Sequence, residues 1–167
     1  MIAAVQMESD WAPTTRMDDR YLHPGEIHAS GHPTRVTTIL GSCVAVCLID
    51  PRRHVAGLNH FLLPSAPTSQ ISSTRYGDVA IDVLVRRLLA LGASRDGLMA
   101  KLFGGANVLH AFADEARHIG AANVDQARAM LDRHGIPLVA EDVGGTRGRK
   151  VVFSVPDGAA WIKVIGP

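Results

Sequence analysis

Cysteine is scarce in this sequence, aromatic residues fill only 5% of its 167 positions, and neither sign of charge dominates. Each shortage excludes something. With 17 basic residues against 16 acidic ones the formal net charge is +1, so no broad field steers the chain onto nucleic acid or an anionic membrane. No uninterrupted apolar run approaches the ~18 residues that a membrane-spanning helix needs. The apolar opening MIAAV soon meets Glu8 and Asp10, too early for an export signal, and the cytoplasm is the expected compartment. Only two cysteines occur, Cys43 and Cys47, within an apolar, β-branched stretch. On a strand rising roughly 3.3 Å per residue their Cα atoms would lie about 13 Å apart, beyond disulfide reach. Free thiols in turn fit a reducing compartment.

What is present describes an ordinary folded chain: 47% apolar and 20% charged residues, at a length suited to one domain with one core. Residues 1–35 are rich in Pro, His, Asp and Thr without sustained periodicity, which predicts an arm with short ordered pieces preceding a single domain over 36–167. Thr37 to Asp50 and Val55 to Leu63 are apolar runs separated by Asp50-Pro51, predicting two strands joined by a turn. Val79, Val83, Leu84, Leu88 and Leu91 recur at helical spacing, with Asp82 four residues before Arg86 as an expected surface ion pair. Leu98 to Phe103 reads as a strand and Asn107 to His118 as a second helix. Asn123, with Gln126 at the capping-box position and Gly135-Ile136-Pro137 at the far end, predicts a third helix capped by Asn123. IPLVAEDV, RKVVFSV and AAWIKVI read as strands, the last two forming a hairpin across a Pro-Asp-Gly turn. The residues thus predict a mixed α+β domain.

Chemistry concentrates at Gly41-Ser42-Cys43. A Gly-Ser pair lets the backbone turn tightly before the cysteine, presenting N–H groups of the kind a tetrahedral oxyanion requires. By residue type alone the commoner reading of such a cysteine is a small buried apolar side chain, and that reading is preferred for Cys47 in mid-strand. A cysteine nucleophile needs a base. His60 is the best placed, because Asn59-His60 interrupts an apolar strand expected to pair with the Cys43 strand; a hydrogen-bonded core histidine fits the same residues. His110, His118 and His134 sit among charged neighbours and are expected in solvent. His23, His28, His32 and His54 are too irregularly spaced for a convincing metal set. Gly104-Gly105, Gly144-Gly145 and Gly148-Arg149-Lys150 lack the spacing of a phosphate loop and are read as tight turns, with a substrate groove as the functional alternative.

Taken together, LGSCVAVCLID (40–50), NHFLLP (59–64), KLFGGANV (101–108), IPLVAEDVGG (136–145) and GRKVVF (148–153) resemble the CheD family of chemoreceptor glutamine deamidases. The resemblance spans nearly the whole chain after about residue 20. It implies a catalytic cysteine at Cys43, a histidine at His60 and a threonine at Thr37 that orients the imidazole, with the backbone around Gly41 and Ser42 holding the oxyanion. It also implies layered mixed β-sheets flanked by helices, similar to the cysteine-hydrolase fold of CheD and of deamidating toxins. One departure is Ala122, where the family usually carries arginine before Asn123.

The chemistry so implied is thioester hydrolysis of receptor glutamine side chains to glutamate and ammonia, without metal or cofactor. The implied substrate is the helical cytoplasmic part of chemoreceptors, and in some members the CheC phosphatase docks over the site. Two other classes fit the residues: a non-catalytic adaptor, and a cysteine amidase or transglutaminase acting on another substrate.

Overall fold

The computed structural model describes residues 16–108 and 113–166, and for 113–118 the backbone alone. Among the described residues nine strands run in chain order as β1 (Asp18–Tyr21), β2 (Ile27–Ser30), β3 (Thr34–Leu40), β4 (Val44–Asp50), β5 (Val55–Asn59), β6 (Met99–Gly104), β7 (Leu138–Val143), β8 (Gly148–Val155) and β9 (Ala160–Ile165). The same residues hold two α-helices, α1 (Gly77–Ala90) and α2 (Ala113–His134), and two short 3-10 turns. The strands form two sheets, one ordered β1-β3-β8-β9 and the other β2-β5-β4-β6-β7, each mixing parallel and antiparallel pairs. This is the layered α+β architecture expected from the sequence.

Strand β4 shows how the layers arise. All seven of its residues are buried, because successive side chains point to opposite faces and both faces are covered. Val44, Val46 and Leu48 join Ile81, Leu84, Leu88 and Leu131 in a core beneath the two helices. Ala45, Cys47 and Ile49 join Val36, Leu58, Phe103 and Phe153 in a second core between the sheets. The order is therefore sheet, sheet, helices.

Several local expectations change. The run from Thr37 to Asp50 is two strands, since the Gly-Ser break carries the chain from the first sheet to the second. Within the stretch read as an arm, β1 pairs in parallel with β3 and β2 antiparallel with β5, so these pieces belong to the sheets; residues 1–15 lie outside the described residues. The two helices expected around Asn107–His118 and after Asn123 are one continuous α2, and Asn123 is interior to it. Gly135 does end it, at φ 66°, with Ile136 N–H donating to the Leu131 carbonyl, the left-handed cap that glycine allows. Asp82 meets His134 across the helices at 2.6 Å instead of pairing with Arg86, and His134 is partly buried there. The β8–β9 hairpin forms as read.

Candidate active site

The β4–β5 register brings the expected nucleophile and base together. Cys47 pairs with Leu58, and beyond the end of β5 an isolated bridge pairs Val44 with Phe61. By that register Ala45 lies opposite His60, and Cys43, two residues before Ala45, projects to the same face. Cys43 and His60 are then diagonal neighbours on one face, a relation that places Cβ atoms within about 7–8 Å and long side chains in reach. That face looks into the layer between the sheets, and the pair sits at its end, where Cys43 is partly exposed.

His60 is held from the opposite sheet. Its Nδ1 lies 2.8 Å from Thr38 Oγ1, and the same hydroxyl donates to the Leu22 carbonyl at 2.8 Å. A hydroxyl has one proton, and a carbonyl can only accept. Thr38 therefore accepts from His60 Nδ1–H, which leaves Nε2 unprotonated. Nε2 is buried and has no hydrogen-bond partner among the described residues. Burial of the ring, only 2% exposed, lowers the His60 pKa to about 4; the Leu22 carbonyl opposes the shift and His23 adds to it. Burial likewise raises the Cys43 thiol, partly offset by its own backbone N–H. At neutral pH both groups rest uncharged.

The hydroxyl that meets the ring belongs to Thr38, whereas the sequence reading named Thr37. Along β3, burial alternates: Thr34, Val36, Thr38 and Leu40 point inward, while Thr37 stands on the outer face beside Arg35 and Ile39. Thr37 contributes its carbonyl, which accepts from Leu22 N–H at 2.8 Å and so holds the residue that receives the Thr38 proton.

Around Cys43 the backbone is clamped on three sides. Its carbonyl accepts from Gly105 N–H at 2.8 Å, and the Gly41 carbonyl accepts from Ala106 N–H at 2.8 Å. Gly104 has φ 108° and Gly105 φ 68°, and a Cβ on Gly104 would collide with the Cys43 carbonyl oxygen. This glycine pair is thus a tight turn against Cys43, one of the two readings the sequence allows. The third clamp is Asn123, fully buried, whose Nδ2 donates to the carbonyls of Ser42 at 3.0 Å and Leu62 at 2.9 Å. Among the described residues no backbone carbonyl receives the N–H of Ser42 or of Cys43.

Behind the clamp lies a recess of about 400 Å³ lined by Gly105, Asn107, Val124, Gly144 and Gly145. Among the described residues no three His, Cys, Asp or Glu side chains converge as metal ligands, and no helix is long and apolar enough to cross a membrane.

Fold and site define a layered α+β domain whose inter-sheet layer ends in a half-buried cysteine diagonal to a buried imidazole. The family described as "CheD chemotactic sensory transduction" matches residues 62–164, and the chain belongs to the CheD family. A "Probable chemoreceptor glutamine deamidase CheD 1" of Anaeromyxobacter dehalogenans is 50% identical over 86% of this chain and 82% of its own. Relatives bearing that deamidase name in Sulfurimonas denitrificans and Trichlorobacter lovleyi are 36% and 39% identical, covering 89% and 93% of this chain and 95% and 94% of theirs. Among solved structures, the Bacillus licheniformis hypothetical protein YfiH aligns with TM-score 0.40 and 15% identity over 69% of this chain and 49% of its own. Neisseria meningitidis protein NMB0706 aligns with TM-score 0.42 and 11% identity over 72% and 53%.

Proposed function

We propose that this chain is a cytoplasmic protein-glutamine deamidase that converts glutamine side chains on the helical cytoplasmic part of chemoreceptors into glutamates. One observation carries the reading. His60 offers a buried, partnerless Nε2 whose opposite nitrogen is pinned as N–H by Thr38, and it lies diagonal to the half-buried thiol of Cys43.

In this reaction His60 Nε2 takes the proton of the Cys43 thiol as the sulfur attacks the carboxamide carbon. The carbonyl oxygen becomes an oxyanion, for which the N–H groups of Ser42 and Cys43 are the nearest donors without a backbone partner. The C–N bond then breaks as Nε2–H protonates the nitrogen, releasing ammonia and leaving a thioester on Cys43. Water, deprotonated by the same Nε2, opens the thioester to glutamate and restores the thiol. Thr38 keeps one tautomer and one ring orientation through both halves, the part a carboxylate or amide plays in other cysteine hydrolases. Where a CheC phosphatase is present, the exposed end of the inter-sheet layer is the surface it would cover.

Mass spectrometry of a receptor cytoplasmic fragment incubated with the protein tests the proposal. Amide-to-acid conversion at defined glutamines, with matching ammonia release and negligible turnover of free glutamine, is the expected outcome. Efficient hydrolysis of free glutamine would instead make the chain a small-molecule amidase.

A further inference from the structure

The ladder that joins the Cys43 and His60 segments is thin where the chemistry sits. Opposite Val46, the strand bond is made to the Asn59 side chain at 2.9 Å instead of to a backbone carbonyl. Beyond that only the Val44–Phe61 pair remains, through bonds of 3.1 and 3.0 Å. Past this pair the chains diverge. Ser42 turns back toward β3, while Leu62 leaves to donate to the Arg75 carbonyl. Asn123 spans the fork, one amide proton on each arm.

The reach of Asn123 is set one turn earlier on α2. A Cβ on Gly120 would lie 2.6 Å from the Gly105 carbonyl oxygen, and one on Gly105 would strike Val124. Helix and glycine turn therefore touch backbone to backbone, and residues three apart share a helix face. The amide orientation is forced as well, because Oδ1 in place of Nδ2 would set three oxygens together. Oδ1 itself is buried and has no partner among the described residues, a state that costs free energy in a core and marks the two donated bonds as what the residue is placed for.

We infer that Asn123 is a positioning residue for the cysteine–histidine pair: by tying the Ser42 and Leu62 carbonyls together it fixes how far Cys43 lies from His60. The inference rests on the deamidase reading and adds to it a residue that touches neither substrate nor reacting atom.

The test measures ammonia release from the receptor fragment by the full chain carrying Asn123→Ala or Asn123→Asp, each alone and with His60→Ala, between about pH 5.5 and 8. Asn123→Ala should lower kcat about 10²-fold, the order of loss that a misplacement of about 1 Å brings, with KM within about twofold. In the His60→Ala background it should add little, since no aligned pair is left to disturb. Asn123→Asp keeps the shape but has no donor until its carboxyl is protonated, so its kcat relative to the parent should climb as pH falls. A kcat within twofold of the parent, equal losses in both backgrounds, or a flat Asn123→Asp ratio would overturn the inference. If Asn123→Ala fails to fold, the isosteric Asn123→Asp ratio decides. A parent that releases no ammonia defeats the deamidase reading separately. Cys43 alkylation by iodoacetamide in the same variants then still reports whether Asn123 governs the His60-dependent rate.

Discussion

Cys43 and Cys47 share a residue type and one face of the same chain segment, and they differ in almost everything chemical. Cys47 sits in the middle of the inter-sheet layer, fully buried against apolar neighbours such as Leu58, and burial pushes its thiol far above the ordinary range. Cys43 sits at the layer's end, half-buried, where the apolar filling gives way to Thr38 and His60. A thiol in the middle can only pack. At the end, His60 lies diagonal to the thiol, and the Ser42 and Cys43 N–H groups have no backbone partner among the described residues. Position along one layer, more than the surrounding sequence, separates a filler from the proposed nucleophile.

The sharpest way to break this comparison is to remove each sulfur in turn. Cys43→Ala should abolish deamidation of the receptor fragment while leaving circular dichroism unchanged. Cys47→Ala should stay within about twofold in activity and instead lose about 1–2 kcal/mol in urea unfolding, as a small core cavity does. If the two variants lose activity equally, the distinction between middle and end is wrong. Next in size is the base: His60→Ala should lower kcat by ~10² or more, and a twofold loss would mean that another group takes the proton.

A smaller, more discriminating effect separates the two threonines. Thr38→Val should slow turnover about tenfold, because the ring loses the partner that fixes its tautomer, while Thr37→Val should change it by less than twofold. The reverse order would restore Thr37 to the site.

The gentlest probe is acid. His60 is neutral in the fold down to about pH 4, against about 6.5 in the unfolded chain. Below 6.5 the unfolded state gains a proton that the folded state refuses, so stability falls as pH drops from 6.5 toward 4. At about 1.4 kcal/mol per pH unit this amounts to roughly 3 kcal/mol. His28, also lowered by burial and by Arg20, adds a slope of the same sign, and the difference between parent and His60→Gln in urea unfolding isolates the share of His60. Identical slopes would show that the imidazole is not desolvated.

The sequence makes much of this legible, for reasons that can be named. Alternating and helical apolar periods mark β4, β8, β9 and α1, because burial on one or two faces leaves a direct trace in residue order. Cys43 stands out by the Gly-Ser pair before it, and His60 by interrupting an apolar run. The choice between Thr37 and Thr38 is not visible, since it depends on which side of β3 meets the second sheet, and two adjacent threonines fit either parity. Asn123 was disguised. Asn followed by Gln three residues later imitates a helix start, whereas Gly120, on the same face one turn earlier, is the cue that the helix runs through and approaches a backbone closely. Asp82 pairs with His134 for a similar reason: a neighbour from another element lies outside any reading of one helix.

The pinned imidazole has a consequence for where protons can travel. One ring nitrogen is committed to Thr38 and the other is sealed from water, so the ring has no outlet to solvent in the resting protein. In the proposed reaction the proton lifted from sulfur is therefore captive, and its exit is the departing ammonia. The water that completes the cycle must enter through the seat which that ammonia vacates. Each turnover then runs as a closed relay in which release of the first product opens the door for the second reactant, and a site that ammonia cannot leave would stall as a thioester on Cys43.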